Sequence, residues 1–122
     1  MKNSLTTAEF SAVFEIGRTV FLFPIKLIAM ENPSTISFSA LKTGFSVPKR
    51  TVKKAVFRNR LKRQMRSAFQ KHENVLRGTF LDPRKSYCFI FMYCDKKADV
   101  PFSVIEKSIL ANVEAFVQNT KS

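Results

Sequence analysis

Acidic residues are scarce in this sequence and missing altogether from its middle. Nine of the 122 residues are Asp or Glu against twenty-one Lys or Arg, and no acid occurs between residues 32 and 72. Cleavage of a phosphodiester by protein side chains needs carboxylates clustered for a metal, or a paired acid and base. The nine acids are scattered along the chain, so no residue is assigned a catalytic or metal-binding role. Histidine is just as thin. The one copy, His72, lies between Lys71 and Glu73, continues the apolar side of a predicted helix and is expected near its end.

Cysteine is limited to Cys88 and Cys94. Six residues apart on a predicted strand, they face the same way about 20 Å from each other, too far for a disulfide within that strand. Without CxxC spacing they read as buried reduced thiols. Long hydrophobic runs are absent as well. No stretch reaches the eighteen or so uncharged apolar residues of a membrane span, and the longest candidate, 19–30, is broken by Pro24 and Lys26. The start, MKNSLTTAEF, carries no apolar signal region and no small-residue cleavage site, so cytoplasmic residence is expected by default.

What the chain does have is positive charge, concentrated in one place. Residues 49–69, KRTVKKAVFRNRLKRQMRSAF, contain nine Lys or Arg and no acid. The window 32–72 holds eleven of the twenty-one basic residues; the rest of the chain has ten basic against nine acidic, a balance of +1 out of a total of +12. From Ala55 onward, Phe57, Leu61, Met65, Ala68 and Phe69 fall within an arc of roughly 120° on a helical wheel. That stripe predicts a core-facing seam. Arg58, Lys62 and Arg66 form an i, i+4, i+8 row on one flank, Asn59 and Arg63 face outward, and Arg60 lies toward the other flank. Like charges at this spacing destabilise a helix by a few tenths of a kcal/mol per pair. A polyanion reverses that sign, and the planar fork of Arg suits phosphate oxygens. The pI near 10.2 agrees with a nucleic-acid footprint.

Around this segment the pattern predicts one domain. Thr6 and Glu9 form a capping box for a first helix, with Leu5 and Phe10 at the hydrophobic-staple positions and Gly17 as its stop. Phe10, Val13 and Phe14 share a face. Residues 21–30 read as a strand, with Pro24 at its start or on an edge; Lys26, Ile28 and Met30 point one way, Ile25, Leu27 and Ala29 the other. Residues 31–34 are a turn, 35–41 and 43–47 two further strands with a tight connection near Lys42, and Pro48 ends the pairing. After the basic helix, 71–84 is expected to run from helix end into loop. Residues 86–94 form a central strand, and a last helix is opened by a capping box of Ser103 and Glu106, with Ile109, Leu110, Val113, Phe116 and Val117 as its stripe. The order is α-β-β-β-α-β-α. Because each helix has one apolar stripe, helices covering one face of a sheet are expected, an α+β two-layer α-β sandwich.

The run KAVFRNRLKRQMRSAF, centred on Arg58-Asn59-Arg60, resembles the RNR motif of the bacterial ribonuclease P protein component, typically AVxRNRxKRxxRexF. The preceding TGFSVPKR resembles that family's strand-and-loop lead-in, and AEFSAVFEIG its first helix; together the likeness covers roughly residues 5–117. Ser67 stands where the family often has an acid, and 51–54 replaces a shorter, Gly-containing turn. The resemblance implies a left-handed βαβ crossover. It also implies a protein subunit that joins a catalytic RNA, which uses Mg²⁺ to remove the 5′ leader of precursor tRNA. Its partners would be ribonuclease P RNA and precursor tRNA, with no membrane, no DNA and no requirement for a protein oligomer. By the same resemblance Arg58, Asn59, Arg60, Lys62, Arg63, Arg66, Lys53 and Lys54 contact the catalytic RNA. Phe10, Phe14, Lys26, Ile28, Lys49 and Arg50 line the cleft for the single-stranded leader, where aromatic platforms and cations hold unpaired bases. Composition alone also suits a ribosomal or RNA-assembly protein. A DNA-binding regulator fits less well, because a strand precedes the basic helix where a helix-turn-helix needs a helix.

Overall fold

The computed structural model describes residues 5–31, 41–82 and 84–121, the side chains of 119–121 excepted. The elements are α1 (Thr7–Ile16), β1 (Arg18–Leu22), β2 (Ile25–Glu31), β3 (Leu41–Ser46), α2 (Ala55–Thr79), β4 (Tyr87–Tyr93) and α3 (Phe102–Lys121). The expected order holds, but its strands divide differently. The segment 21–30 is not one strand: β1 and β2 are an antiparallel hairpin folded at Phe23-Pro24, whose peptide is cis. Pro24 thus sits in the turn rather than at a strand start. β3 runs unbroken through Lys42, where a connection was expected. The turn 31–34 and the strand 35–41 lie outside the described residues, apart from Glu31, which closes β2, and Leu41, which opens β3.

The sheet order is β1-β2-β4-β3, with β4 antiparallel to β2 and parallel to β3. All seven residues of β4 are buried, as its unbroken apolar run predicts. Alternation sends Tyr87, Phe89, Phe91 and Tyr93 to one face and Cys88, Ile90 and Met92 to the other. The first set joins Leu61, Met65, Ala68, Phe69 and Leu76 of α2 and Ile105, Ile109, Val113, Phe116 and Val117 of α3 in the main core. The second set packs with Val13, Ile28, Phe10 and Leu5. So α2 and α3 form the helical layer of the sandwich, while α1 lies across the opposite face. A single stripe per helix fixes that each helix packs once, not which face it chooses.

The β3-α2-β4 unit is a parallel crossover between adjacent strands. Thr43 shares the face of Leu41 and Phe45, toward α2, and its carbonyl accepts from Leu5 N–H on the edge away from β4 (3.2 Å). For an L-residue seen with its side chain toward the observer and the strand running up, that carbonyl points right. β4 therefore lies left of β3 with α2 in front, and the crossover is left-handed, against the usual rule.

Two helices differ from their sequence reading. Most of 71–84, expected to pass from helix end into loop, is helical: α2 continues to Thr79, because Leu76 adds a buried position and Arg77 Nε pairs with Glu73 Oε2 at 2.9 Å. α3 has no Ser103–Glu106 capping box. The helix starts at Phe102, with Val104 N–H donating to Pro101 O (3.0 Å), and Glu106 is engaged by Lys71 and His72 of α2. Within the α3 stripe, buried Ser108 and Asn112 hold the β1–β2 turn. Ser108 Oγ donates to Leu22 O (2.6 Å) and accepts from Ile25 N–H (3.2 Å), and Asn112 Nδ2 donates to Ile25 O (2.9 Å). Those bonds satisfy hairpin backbone groups that the turn would otherwise leave buried and unpaired.

Candidate nucleic-acid interface

The basic segment begins where β3 ends. Val47 and Val52 are buried and pin the ends of a short turn, closed by Thr51 and Val52 N–H groups donating to Pro48 O (3.0 and 3.1 Å). Lys49 and Arg50 ride on that turn, exposed, and Lys53 and Lys54 follow, also exposed. Lys54 is the N-cap of α2. It makes no side-chain cap, and no acid occupies the first turn, an electropositive start for a helix whose dipole already favours an anion.

Along α2 the candidate RNA-contacting side chains divide into two groups. Asn59, Arg63 and Arg66 are exposed, whereas Arg58, Arg60 and Lys62 are half-buried. Arg58 folds back on the preceding loop, its Nη1 donating to Val52 O (3.1 Å) and Lys53 O (2.6 Å). Arg60 Nη2 donates to Ala98 O in the β4–α3 loop (3.1 Å), and its guanidinium lies 5.1 Å from the Phe57 ring centre. Lys54 Nζ approaches the same ring at 6.0 Å, and Arg66 lies 5.4 Å from Phe45. Phe45 and Phe57 thus orient cations through their ring faces. The tethering of Arg58 and Arg60 to loop carbonyls has no signature in a helical wheel.

None of these basic residues is ion-paired among the described residues. The pairs run elsewhere: Lys42–Glu9, Lys71 and His72 with Glu106, Arg77–Glu73, Arg84–Asp82 and Lys85–Glu31. His72 sits within α2 rather than at its end, its Nε2 2.9 Å from Glu106 Oε2. That contact, then Lys71, holds the Glu106 carboxyl below its ordinary value. Five of the nine acids, Glu9, Glu31, Glu73, Asp82 and Glu106, are held in pairs that brace the fold, and no ion pair among the described residues reaches the basic face.

On the other face, α1 and the sheet form a groove. The capping box is present, with Thr6 N–H donating to Glu9 Oε1 (2.8 Å) and Glu9 N–H to Thr6 Oγ1 (3.2 Å). Glu9 also receives Lys42 Nζ at 2.9 Å. The Thr6 backbone bond, then Lys42, lowers the Glu9 carboxyl. Gly17 ends α1 with an extended backbone rather than the left-handed stop expected from the sequence. Its role is close approach: a Cβ there would lie 2.5 Å from Val13 O and 3.0 Å from Ile28 Cγ2. At the other end, a Cβ on Gly44 would meet Leu5 and Phe10 at 3.2 Å. α1 therefore crosses from β3 to β2.

Strand register supplies the groove floor. Phe21, Lys26, Met92 and Ser46 form one row across all four strands; Thr19, Ile28, Ile90 and Gly44 form the next; Met30, Cys88 and Lys42 the third. Glu9 reaches the third row and Phe10 covers the second, so the Phe10–Phe14 side of α1 turns toward the first row. The two rings stack at 6.4 Å with an 11° interplanar angle, and Phe14 is 53% exposed. Lys26 is half-exposed beside them, while Ile28 is only 5% exposed and acts as support beneath. Lys49 and Arg50 follow Ser46 at the β3 end of the first row. Phe21, which was not assigned to the site, lies at the β1 end; its place is visible only once the hairpin pairs it with Lys26.

Cys88 is buried under α1, and burial pushes its thiol up to about 11, an inert state. Cys94 is half-buried, and both cysteines are free. Among the described residues no three His, Cys, Asp or Glu side chains are grouped to hold a metal, and no helix is long and apolar enough to cross a membrane.

Residues 2–116 match the family described as Ribonuclease P. The chain is also similar to the RNase P protein of Staphylococcus aureus, with a TM-score of 0.73 and 20% identity over 95% of this chain and 96% of that one. A similar likeness relates it to the RNase P protein from Thermotoga maritima, with a TM-score of 0.73 and 18% identity over 93% and 97% of the two chains. At these identities the likeness to solved structures carries the fold.

Proposed function

The chain belongs to the Ribonuclease P protein family, and from that premise we propose how its two faces divide the task. The exposed side of α2, with Asn59, Arg63 and Arg66 and the exposed Lys53 and Lys54, docks on the phosphates of a catalytic RNA. Arg58 and Arg60, held by loop carbonyls, shape that surface, and their charges add to its field together with the half-buried Lys62. The groove between α1 and the sheet takes the single-stranded 5′ leader of precursor tRNA, Phe10 and Phe14 stacking on bases with Lys26, Lys49 and Arg50 on the backbone. Cleavage is carried out by the RNA with Mg²⁺ held mainly by its own phosphates, since the carboxylates of this chain are dispersed. Precursor tRNA places the work in the cytoplasm.

The observation that carries this reading is the basic face without carboxylate partners. Within a folded protein such a face is self-repelling, and it becomes favourable against a polyanion. The test is reconstitution: the chain is mixed with a bacterial ribonuclease P RNA at low Mg²⁺ and 5′ processing of precursor tRNA is measured. Processing that rises with the chain, and falls when Arg63 and Arg66 are changed to Ala, supports the assignment. Processing indifferent to the chain returns it to a ribosomal or assembly role.

A further inference from the structure

The β1–β2 hairpin ends in a cluster of apolar side chains that the fold does not use. Phe21 is 52% exposed and Phe23 64%, and neither belongs to the packed core clusters. Their rings meet edge-to-face at 6.3 Å. The backbone beneath is held independently of those rings, through the bonds from Ser108 and Asn112 to Leu22 and Ile25. A rigid tip that displays two aromatic rings is costly in water unless something covers it.

Register indicates what that is. Phe21 pairs with Lys26 across the hairpin, so both point to the α1 face. They begin the row that ends at Ser46, immediately before the loop carrying Lys49 and Arg50. That row spans three interstrand spacings, roughly 14 Å, and contains a cation and no acid. The next acid along β4, Asp95, accepts from Lys97 N–H in the following loop (3.1 Å). An aromatic pair continuous with Phe14 and Lys26 suits unpaired bases on a charged backbone better than a protein surface, which would leave Lys26 without a counter-charge.

We propose that Phe21 and Phe23 form a second stacking shelf, which extends the leader groove beyond Phe10 and Phe14 and binds the nucleotides of the leader farthest from the cleavage point. The proposal rests on the leader-groove reading above. The basic loop and α2 lie at the β3 end of the row, near the catalytic RNA, so the hairpin end receives the distal part of the strand. Its consequence is a dependence on leader length.

The experiment uses holoenzyme reconstituted with the wild-type chain, F21A/F23A, F21L/F23L and F21Y/F23Y, and precursor tRNAs with leaders shortened stepwise from the 5′ end. The Ala pair weakens binding of the longest leader at least about fivefold, the low end of what one base gains on an aromatic ring. It leaves the shortest leader and mature tRNA unchanged. The Tyr pair keeps wild-type affinity, and the Leu pair, apolar but without rings, behaves as the Ala pair. If wild-type affinity grows with leader length and F21A/F23A retains that growth, the shelf is wrong and the Phe10–Phe14 groove stands. Equal losses at every length, or full retention by the Leu pair, overturn the shelf in favour of another contact. A wild-type holoenzyme indifferent to the leader overturns the groove and the shelf together.

Discussion

Arg58 and Arg63 lie five residues apart on α2 and are used in different ways. Arg58 spends its guanidinium on Val52 and Lys53 carbonyls, which ties the loop to the first turn of the helix. Arg63 is exposed, with no partner among the described residues. Arg58→Ala is expected to cost about 1.5 to 3 kcal/mol of stability, the range for hydrogen bonds to charged groups, read as a lower midpoint in urea. Arg63→Ala leaves that midpoint in place and weakens binding to the catalytic RNA. A helical wheel sets Arg58 on the flank and Arg63 outward, but it gives Arg58 no partner; what fixes its role is a pair of loop carbonyls that only the folded chain brings within reach.

At the scale of elements, α1 is the piece whose attachment depends most on charge. It is joined to the sheet through Val13, Phe10 and the Glu9–Lys42 pair. The Glu9 carboxyl is lowered from its ordinary 4.5 by the Thr6 backbone and Lys42. A depressed carboxyl contributes stability that is complete above its unfolded value and disappears as pH falls through the folded one. Amide exchange should therefore show α1 loosening below about pH 4.5. Glu9→Gln should remove that acid step while lowering protection at neutral pH. Glu106, lowered by His72 and Lys71, gives the α2–α3 contact an acid dependence of its own, so amide-resolved data are needed to follow the two separately. Among the elements, α1, the basic helix and the central strand β4 are legible in the sequence, because capping box, charge and apolar run each have a local cause. The β1–β2 hairpin is not, since its apolar residues run continuously through Pro24. Nor is the end of α2, where Gly78 suggests a stop although nothing crowds it and Leu76 still packs. The polar pair Ser108 and Asn112, one turn apart in the α3 stripe, was the available hint that a turn needed holding.

For the whole molecule the decisive quantity is the distribution of charge, +12 in total with most of it on one helix and its loop. Under the proposed function, affinity for the catalytic RNA falls with salt in proportion to the phosphates neutralised. Changing Arg63, Arg66 and Lys53 together to Gln should reduce the slope of log K against log salt by about 2 to 3, while stability falls only by the lost Arg66–Phe45 contact, about 0.5 to 1 kcal/mol. An unaltered slope would place the RNA on another surface. The candidate site was legible in the sequence as composition and motif, but its division between two faces required the sheet. β4 makes that division physical, because its odd-numbered side chains support α2 and α3 while its even-numbered ones support α1. In the proposed arrangement, ribozyme and substrate tail are held back to back across one slab of protein, like the jaws of a gauge set at fixed width. Either jaw can drift in sequence without loosening its opposite, but a swelling or a hole in the slab misaligns both at once.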